Sequence, residues 1–273
     1  MIKSNCHTHT TYCDGNNTVR EMIEAAIEKG FVTLGFSGHA PMDFFNDWAM
    51  TDEKLSSYID ELKALKTEYK DKIDVLCGIE LDADHSVDNL SVFDYTIGSM
   101  HQFRRGDKDF PIDLSAESLE NTVNTEFKGD WIEMCKAYFA RLSDFICKVK
   151  PDVVGHFDLV TKYNLNNCYF DETNDEYRKA ALEAVDKIIA CGGNPIFEVN
   201  TGAMYRVGKT SPYPAPFIME HLEKNDVRIT ITSDSHCTDS LDFAFAEAED
   251  YCRSFGFTQK CILTSSGVKE IDL

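Results

Sequence analysis

The chain has 273 residues, with 27 Lys+Arg against 47 Asp+Glu and a formal net charge of −20. Such a charge repels nucleic acid backbones, and a hydrophobic fraction of 43% excludes wholesale disorder and allows one large core. No apolar run approaches the ~20 residues of a membrane span, no signal peptide fits ahead of the polar stretch HTHTTYCDG, and the expected location is the cytoplasm.

The first residues, IKSNCH, read as a strand. Residues 18–30 read as a helix: Thr18 caps it with Glu21 three positions on, Gly30 stops it, and Val19, Met22, Ile23, Ala26 and Ile27 recur at helical spacing. Residues 31–39 form the next expected strand, and 51–69 a long helix opened by Thr51 or Asp52. Strands follow at 73–82 and 93–101, joined by a link too short for a crossover helix. The polar, weakly periodic stretch 102–129 reads as a loop or short helices over a site mouth. A helix is expected over about 130–149 and a strand ending near 157. Then come a helix at 173–192, a strand at 194–202, a helix at 214–225, a strand at 227–236, a helix at 240–256 and a last short strand in KCILTSS.

Alternation of this kind, with about seven parallel strands and no linker, predicts one α/β barrel domain spanning residues 1–273. A doubly wound open sheet is the alternative, but no glycine-rich phosphate turn follows the first strand. The ten cysteines form no CxxC pair, and several, such as Cys77 and Cys147, lie in apolar runs. They read as small buried hydrophobes of a reducing compartment, Cys13 included.

Barrel enzymes hold their chemistry at the carboxyl ends of strands. The expected strand ends carry His7 and His9, then His39, Glu80, His101, His156, Glu198 with Asn200, and Asp234 with His236. Six of the eight histidines fall at such ends, leaving out His85 and His221, which read as ordinary polar residues. Residues i and i+2 of a strand share a face, so both members of HTH and of DSH can enter the barrel mouth while Cys6 and Thr8 point away. A lone HxH is weak evidence. A carboxylate such as Glu80 closing an apolar strand is costly unless something pairs with it, and the repeated match of position and residue type carries the reading. Nitrogen and carboxylate ligands without thiolates suit zinc, manganese or iron. So many groups fit two or three ions better than one, with Glu80 and Asp234 as bridging carboxylates. Such a cluster suits phosphate ester hydrolysis.

Together HTHTTYCDG, GFSGHAP, GIELD, GSMH, GHFDLV and TSDSH resemble the polymerase-and-histidinol-phosphatase (PHP) superfamily, and within it the histidinol-phosphatase branch. The resemblance runs from residue 7 to residue 236. It implies a distorted (β/α)7 TIM-like barrel with a trinuclear centre. His7, His9, Glu80 and Asp234 would hold the first ion, Glu80, His101 and His156 the second, and Asp14, His39 and His236 the third. The implied reaction is that of a phosphoric monoester hydrolase converting L-histidinol phosphate to L-histidinol and phosphate in histidine biosynthesis. One departure is visible: Ser37-Gly38-His39 stands where many relatives carry Ser-Asp-His, which bears on support for the third site.

The expected mechanism is in-line attack by a metal-bound hydroxide, with Asp234 in the catalytic centre and His236 or Asp158 giving the leaving alkoxide its proton. Asp158 is the first candidate, and Glu198 the second, to meet the cationic groups of the substrate. Arg206 reads either as a bidentate phosphate clamp or as an exposed loop arginine. The partner is a small-molecule phosphate monoester. Three other readings stand beside it: another phosphoesterase of the superfamily (on nucleotides, DNA ends or phosphotyrosine), an amidohydrolase-type metal hydrolase, and a metal-dependent binding module. The amidohydrolase type departs at its strand-end lysine, where this chain has Glu80.

Overall fold

The capping box foreseen at Thr18 and Glu21 is formed, and it starts the first of the helices that wrap the sheet. The structure is a computed structural model and describes residues 2–42, 47–105 and 108–273. In chain order, β1 (Lys3–Asn5), α1 (Val19–Glu28), β2 (Phe31–Phe36), α2 (Asp52–Tyr69), β3 (Asp74–Leu81) and β4 (Tyr95–Gly98) build the first half. An excursion follows: β5 (Gln102–Arg105), β6 (Lys108–Pro111) and α3 (Ala116–Glu126). The alternation then resumes with α4 (Trp131–Val149), β7 (Val153–Val154), α5 (Asp175–Ala190), β8 (Ile196–Asn200), α6 (Gly202–Val207), α7 (Pro216–Lys224), β9 (Ile229–Thr232) and α8 (Phe245–Ser254). The chain finishes in β10 (Gln259–Thr264) and β11 (Gly267–Asp272).

Seven strands form one parallel sheet in the order β1-β2-β3-β4-β7-β8-β9. Short connections and outer helices of one hand make such a sheet curl. It closes just past the strand ends, where His9 N–H donates to Ser235 C=O (2.8 Å) and Ser235 N–H to His7 C=O (3.1 Å). The distorted seven-stranded barrel is therefore sealed by the histidine-bearing segments themselves. Helices α1 and α2 bury Met22, Ile23, Ala26, Tyr58 and Leu62 against its outside, those of α1 as its apolar spacing predicts.

The lower interior is filled by Cys6, Leu76, Tyr95, Ile97, Val153 and Ile196, joined by Cys261 and Leu263 of β10. The Tyr95 hydroxyl donates to the Cys6 carbonyl. A Cβ on Gly35 or Gly78 would collide with the Tyr95 ring, so the two glycines make its room. The last strand of the alternation is not a barrel strand. It pairs antiparallel with β11, and Ser265 N–H bonds Asp74 at the first residue of β3, so this hairpin stoppers the amino-terminal end.

Two further expectations are corrected. Residues 102–105 and 108–111 pair as antiparallel strands and residues 116–126 form a three-turn helix, rather than a loop or short helices. The amphipathic signal of α3 is short, with Leu119, Thr122 and Val123 as its buried face, and is hidden among polar residues. Cys147 is also not a lone buried hydrophobe. It forms a disulfide with Cys191, with 5.6 Å between their Cα atoms, because α4 and α5 pack side by side and bring residues 44 apart together. Cys168 is exposed, while Cys6, Cys77, Cys135, Cys252 and Cys261 are buried and unpaired.

Candidate metal centre

Only Glu80 of the expected ligands lies inside a regular strand. β1 ends at Asn5, β2 at Phe36, β4 at Gly98, β7 at Val154 and β9 at Thr232. His7, His39, His101, His156 and Asp234 thus sit on short extensions two or three residues beyond the ladder. There the backbone is free to turn side chains over the mouth. Asp234 shows this most clearly: its φ of 47° is left-handed, so the strand alternation assumed for DSH does not hold. Both carboxylate and imidazole still reach the centre because the kink at Asp234 redirects them. Arg206 holds the kink, donating to Asp234 Oδ2 at 2.5 Å and to its carbonyl at 3.2 Å.

The side chains converge. His7 Nε2 lies 3.4 Å from Glu80 Oε1 and 3.5 Å from Asp234 Oδ1. His9 Nε2 is 3.2 Å from that same Asp234 oxygen and 3.6 Å from Glu80 Oε2. On the other side of Glu80, His156 Nε2 stands 3.1 Å from Oε1 and 3.2 Å from His101 Nε2. Asp14 Oδ2 is 3.1 Å from His236 Nε2 and 3.6 Å from His39 Nε2. All nine expected ligands are therefore brought to one place. Among the described residues, four overlapping groups have ligand atoms within 4.8 Å of one another. They include His9 with Asp14, His39 and His236, and His39 with Glu80 and His101, so the groups are less separate than three independent sets.

The chemistry of these donors fits divalent cations. Ligands about 2.0–2.2 Å from a tetrahedral ion stand about 3.3–3.6 Å apart, close to the spacings found. Among the described residues, His7 Nε2, His9 Nε2 and Glu80 Oε2 are fully buried, aimed into the cluster and make no well-directed hydrogen bond, although Glu80 Oε2 stands 2.9 Å from His39 Nδ1. A protein rarely tolerates such an arrangement without a bound ion or water. Burial would lower the pKa of His7, but Glu198, Asp234 and Glu80 hold it well above the usual imidazole value. Burial would raise Glu80, but His7, His101 and His39 hold it well below the carboxylate range. The cluster thus favours positive charge in its midst.

Around these ligands stands a second layer that the sequence did not announce. Glu198 is fully buried beneath His7, away from the cavity. Its Oε1 accepts from His7 Nδ1 (2.5 Å) and Thr232 Oγ1, and its Oε2 from His156 N–H (2.6 Å) and Asn200 Nδ2 (2.9 Å). With four donors on it, Glu198 does not face a substrate, and its expected contact with one is corrected to an orienting role. Asp82 does the same for His101, accepting from its N–H (2.7 Å) and Nδ1 (3.1 Å). A signal for Asp82 existed: it lies two residues beyond Glu80 in GIELD, on the same face. Asp158 is 1% exposed, outside the cavity lining, and accepts from Ala215 N–H. Burial pushes it up to about 6. Its burial and its bond to the Ala215 backbone turn it away from the cavity wall, so the geometry supports neither role expected of it. His236 lies at the rim, lowered to about 4 by burial and by its neighbour His9, and therefore neutral at pH 7, the form that ligates metal rather than the form that donates a proton. Cys13, read as an ordinary small residue, has its Sγ 3.5 Å from His9 Nδ1. Gly38 packs against Cys13 and Met50, with no room for a larger side chain unless they move, while His39 is braced instead by Trp48 and Glu80. His221 pairs with Asp186 at the surface, apart from the site, as expected.

The cluster floors a cavity of about 430 Å3. Trp48, Leu114 and Leu159 supply apolar wall, and Arg206, Lys162 and Asp113 supply charge. The PHP domain pattern matches residues 5–202, which hold seven of the nine ligands; Asp234 and His236 lie beyond it. The chain belongs to the PHP family. Its relatives in that family include the histidinol-phosphatase of Bacillus subtilis, 22% identical over 92% of this chain and 100% of the other. A Schizosaccharomyces pombe protein assigned as a histidinol-phosphatase is 26% identical over 96% of this chain and 89% of its own length. Among solved structures, the histidinol phosphate phosphatase of Lactococcus lactis, complexed with zinc, L-histidinol and phosphate, superposes with a TM-score of 0.70 at 19% identity, covering 98% of each chain. A Listeria monocytogenes protein of the same assignment gives 0.73 at 21% identity, covering 90% of this chain and 99% of the other. These superpositions carry the PHP barrel as a fold. Among the described residues no helix is long and apolar enough to cross a membrane.

Proposed function

We propose that this chain is a metal-dependent phosphatase that hydrolyses L-histidinol phosphate to L-histidinol and phosphate. The observation that carries the reading is the convergence of buried ligand atoms of His7, His9 and Glu80, which among the described residues include atoms without a well-directed hydrogen bond, beneath a cavity that also presents Arg206. Full-length relatives named for this reaction support it. Two or three divalent ions, zinc, manganese or iron, would be held by His7, His9, Glu80 and Asp234, by Glu80, His101 and His156, and by Asp14, His39 and His236. When bound, such ions acidify water and neutralise phosphoryl oxygens.

The remaining work falls to the chain itself. Glu198 and Asp82 fix the ring planes of His7 and His101, so each presents Nε2 to the centre. Arg206 has donors beyond those on Asp234 and lines the cavity, where its planar fork suits a phosphoryl group. The partner is a small phosphate monoester rather than a polynucleotide, in keeping with a net charge of −20, and the compartment is the cytoplasm, to be checked by cell fractionation.

Elemental analysis of the purified protein, paired with release of phosphate from L-histidinol phosphate, tests this. We expect at least two equivalents of transition metal and turnover that chelation abolishes and metal restores. Turnover of other phosphate esters with none of histidinol phosphate would overturn the substrate, and a metal-free protein of full activity would overturn the mechanism.

A further inference from the structure

We propose that Asp113 selects the substrate, its carboxylate taking the ammonium of an amino-alcohol phosphate whose phosphoryl group lies over the metal centre. This rests on the histidinol phosphate reading and names the residue that would make it specific.

Asp113 lies on the excursion between β6 and α3, and Ile112 N–H donates to His101 C=O at 2.8 Å, which pins the segment beside the centre. The backbone carbonyl of Asp113 accepts from Lys162 Nζ (2.8 Å) and from the Tyr163 hydroxyl (2.7 Å). Its side chain is thereby aimed rather than free to swing. Oδ2 accepts from Lys162 Nζ at 3.1 Å, while among the described residues Oδ1 has no hydrogen-bond partner. The side chain is 26% exposed and lines the cavity. Burial alone would raise this carboxylate, but Lys162 and His101 hold it ionised below the usual range, with a smaller share from His156. Asp113 is therefore an anion with open acceptor capacity at the edge of the second ligand group.

The other carboxylates are less suited. Glu80, Asp14 and Asp234 belong to the centre, and Glu198 and Asp158 are buried outside the cavity lining. Asp109 faces Arg104 at 3.7 Å, and Asp47 is exposed to solvent. In L-histidinol phosphate two carbons separate the ammonium nitrogen from the ester oxygen. A phosphoryl group over the centre therefore brings the ammonium close to it, where Asp113 stands. A site that offers a partly buried charge for a hydrogen bond disfavours the analogue that lacks the donor.

The test compares L-histidinol phosphate with its des-amino analogue, 3-(imidazol-4-yl)propyl phosphate, on wild type, Asp113→Asn and Asp113→Glu. Wild type is expected to prefer the amino substrate in kcat/KM, and Asp113→Asn to shrink that preference about ten- to a hundredfold, mainly through KM of the amino substrate. Asp113→Glu should recover part of it. Equal losses on both substrates would mean that Asp113 only props Lys162 and would overturn the proposal. A second arm needs no turnover: calorimetry on the metal-loaded protein with phosphoethanolamine and with propyl phosphate, which share size and spacing but differ in the ammonium. Tighter binding of phosphoethanolamine in wild type, lost in Asp113→Asn, supports the proposal, and no preference in wild type sinks it. Wild type that turns over neither imidazole substrate would overturn the histidinol phosphate reading and leave this second arm to decide Asp113.

Discussion

His7 Nδ1 and Glu198 Oε1 meet at 2.5 Å although 191 residues separate them in the chain. Both side chains are fully buried, and the contact ties the segment after β1 to β8 across the barrel. Because an ionised carboxylate only accepts, it fixes the hydrogen on Nδ1 and leaves Nε2 for the centre.

Replacing Glu198 by Gln should therefore weaken metal binding without removing a ligand. Loss of an orienting carboxylate behind a ligating histidine typically lowers affinity about 10–100-fold. Competition with a chromophoric chelator measures this directly. An unchanged affinity would show that His7 needs no such partner.

Glu80 touches more of the centre than any other side chain described. His7, His9, His39, His101 and His156 all have ring nitrogens within 3.6 Å of its oxygens. Glu80→Ala should release more than one equivalent of metal and reduce kcat by more than the about hundredfold expected for an orienting residue. Atomic emission on the variant, against wild type prepared in parallel, gives the count. Retention of all metal would remove Glu80 from its bridging position.

Arg206 stands between two roles, holding Asp234 and meeting phosphate. Arg206→Ala should raise both KM for the phosphate ester and Ki for inorganic phosphate by about tenfold or more. Arg206→Lys, which keeps charge but not the fork, should recover only part. If Ki for phosphate stays put while metal content falls, the arginine serves Asp234 alone.

A fourth test concerns stability away from the site. Asp242 receives Lys3 at 2.7 Å and Lys29 at 2.8 Å, tying β1 and the end of α1 to the segment after β9. Burial would raise its pKa, but Lys29 and Lys3 hold it below the usual carboxylate value. A depressed carboxylate stabilises the fold above its unfolded value of about 3.9, and this is lost as pH falls through the folded value. For partly exposed pairs the contribution is about 1 kcal/mol or less. Asp242→Asn should lower Tm by up to about 2–4 °C at pH 7, with the gap closing below pH 4. A gap that is undiminished at pH 3 would assign the effect to packing.

Much of the fold was legible because it is local physics. Thr18 with Glu21, Thr51 and the apolar spacing of α1 each mark a helix within a window of about twenty residues, and these helices, with those expected at α4 and α5, are present. The ligands were legible too, because a histidine or carboxylate closing an apolar run is chemically out of place wherever it occurs. The hairpin of β5 and β6 was not, since its strands are four residues each and its sequence, QFRR with KDFP, has no strict alternation of apolar and polar residues.

By itself the sequence determined which side chains are available for chemistry and that strands and helices alternate, since both follow from residue type and short-range periodicity. Tertiary structure alone decided where those side chains point. The left-handed turn at Asp234, the burial of Glu198 behind His7, the removal of Asp158 from the cavity and the arrival of Asp113 at its edge all depend on contacts between residues far apart in the chain. Such contacts leave no local periodicity, because the free energy that sets them arises from burial and hydrogen bonding between elements that meet only when the barrel closes.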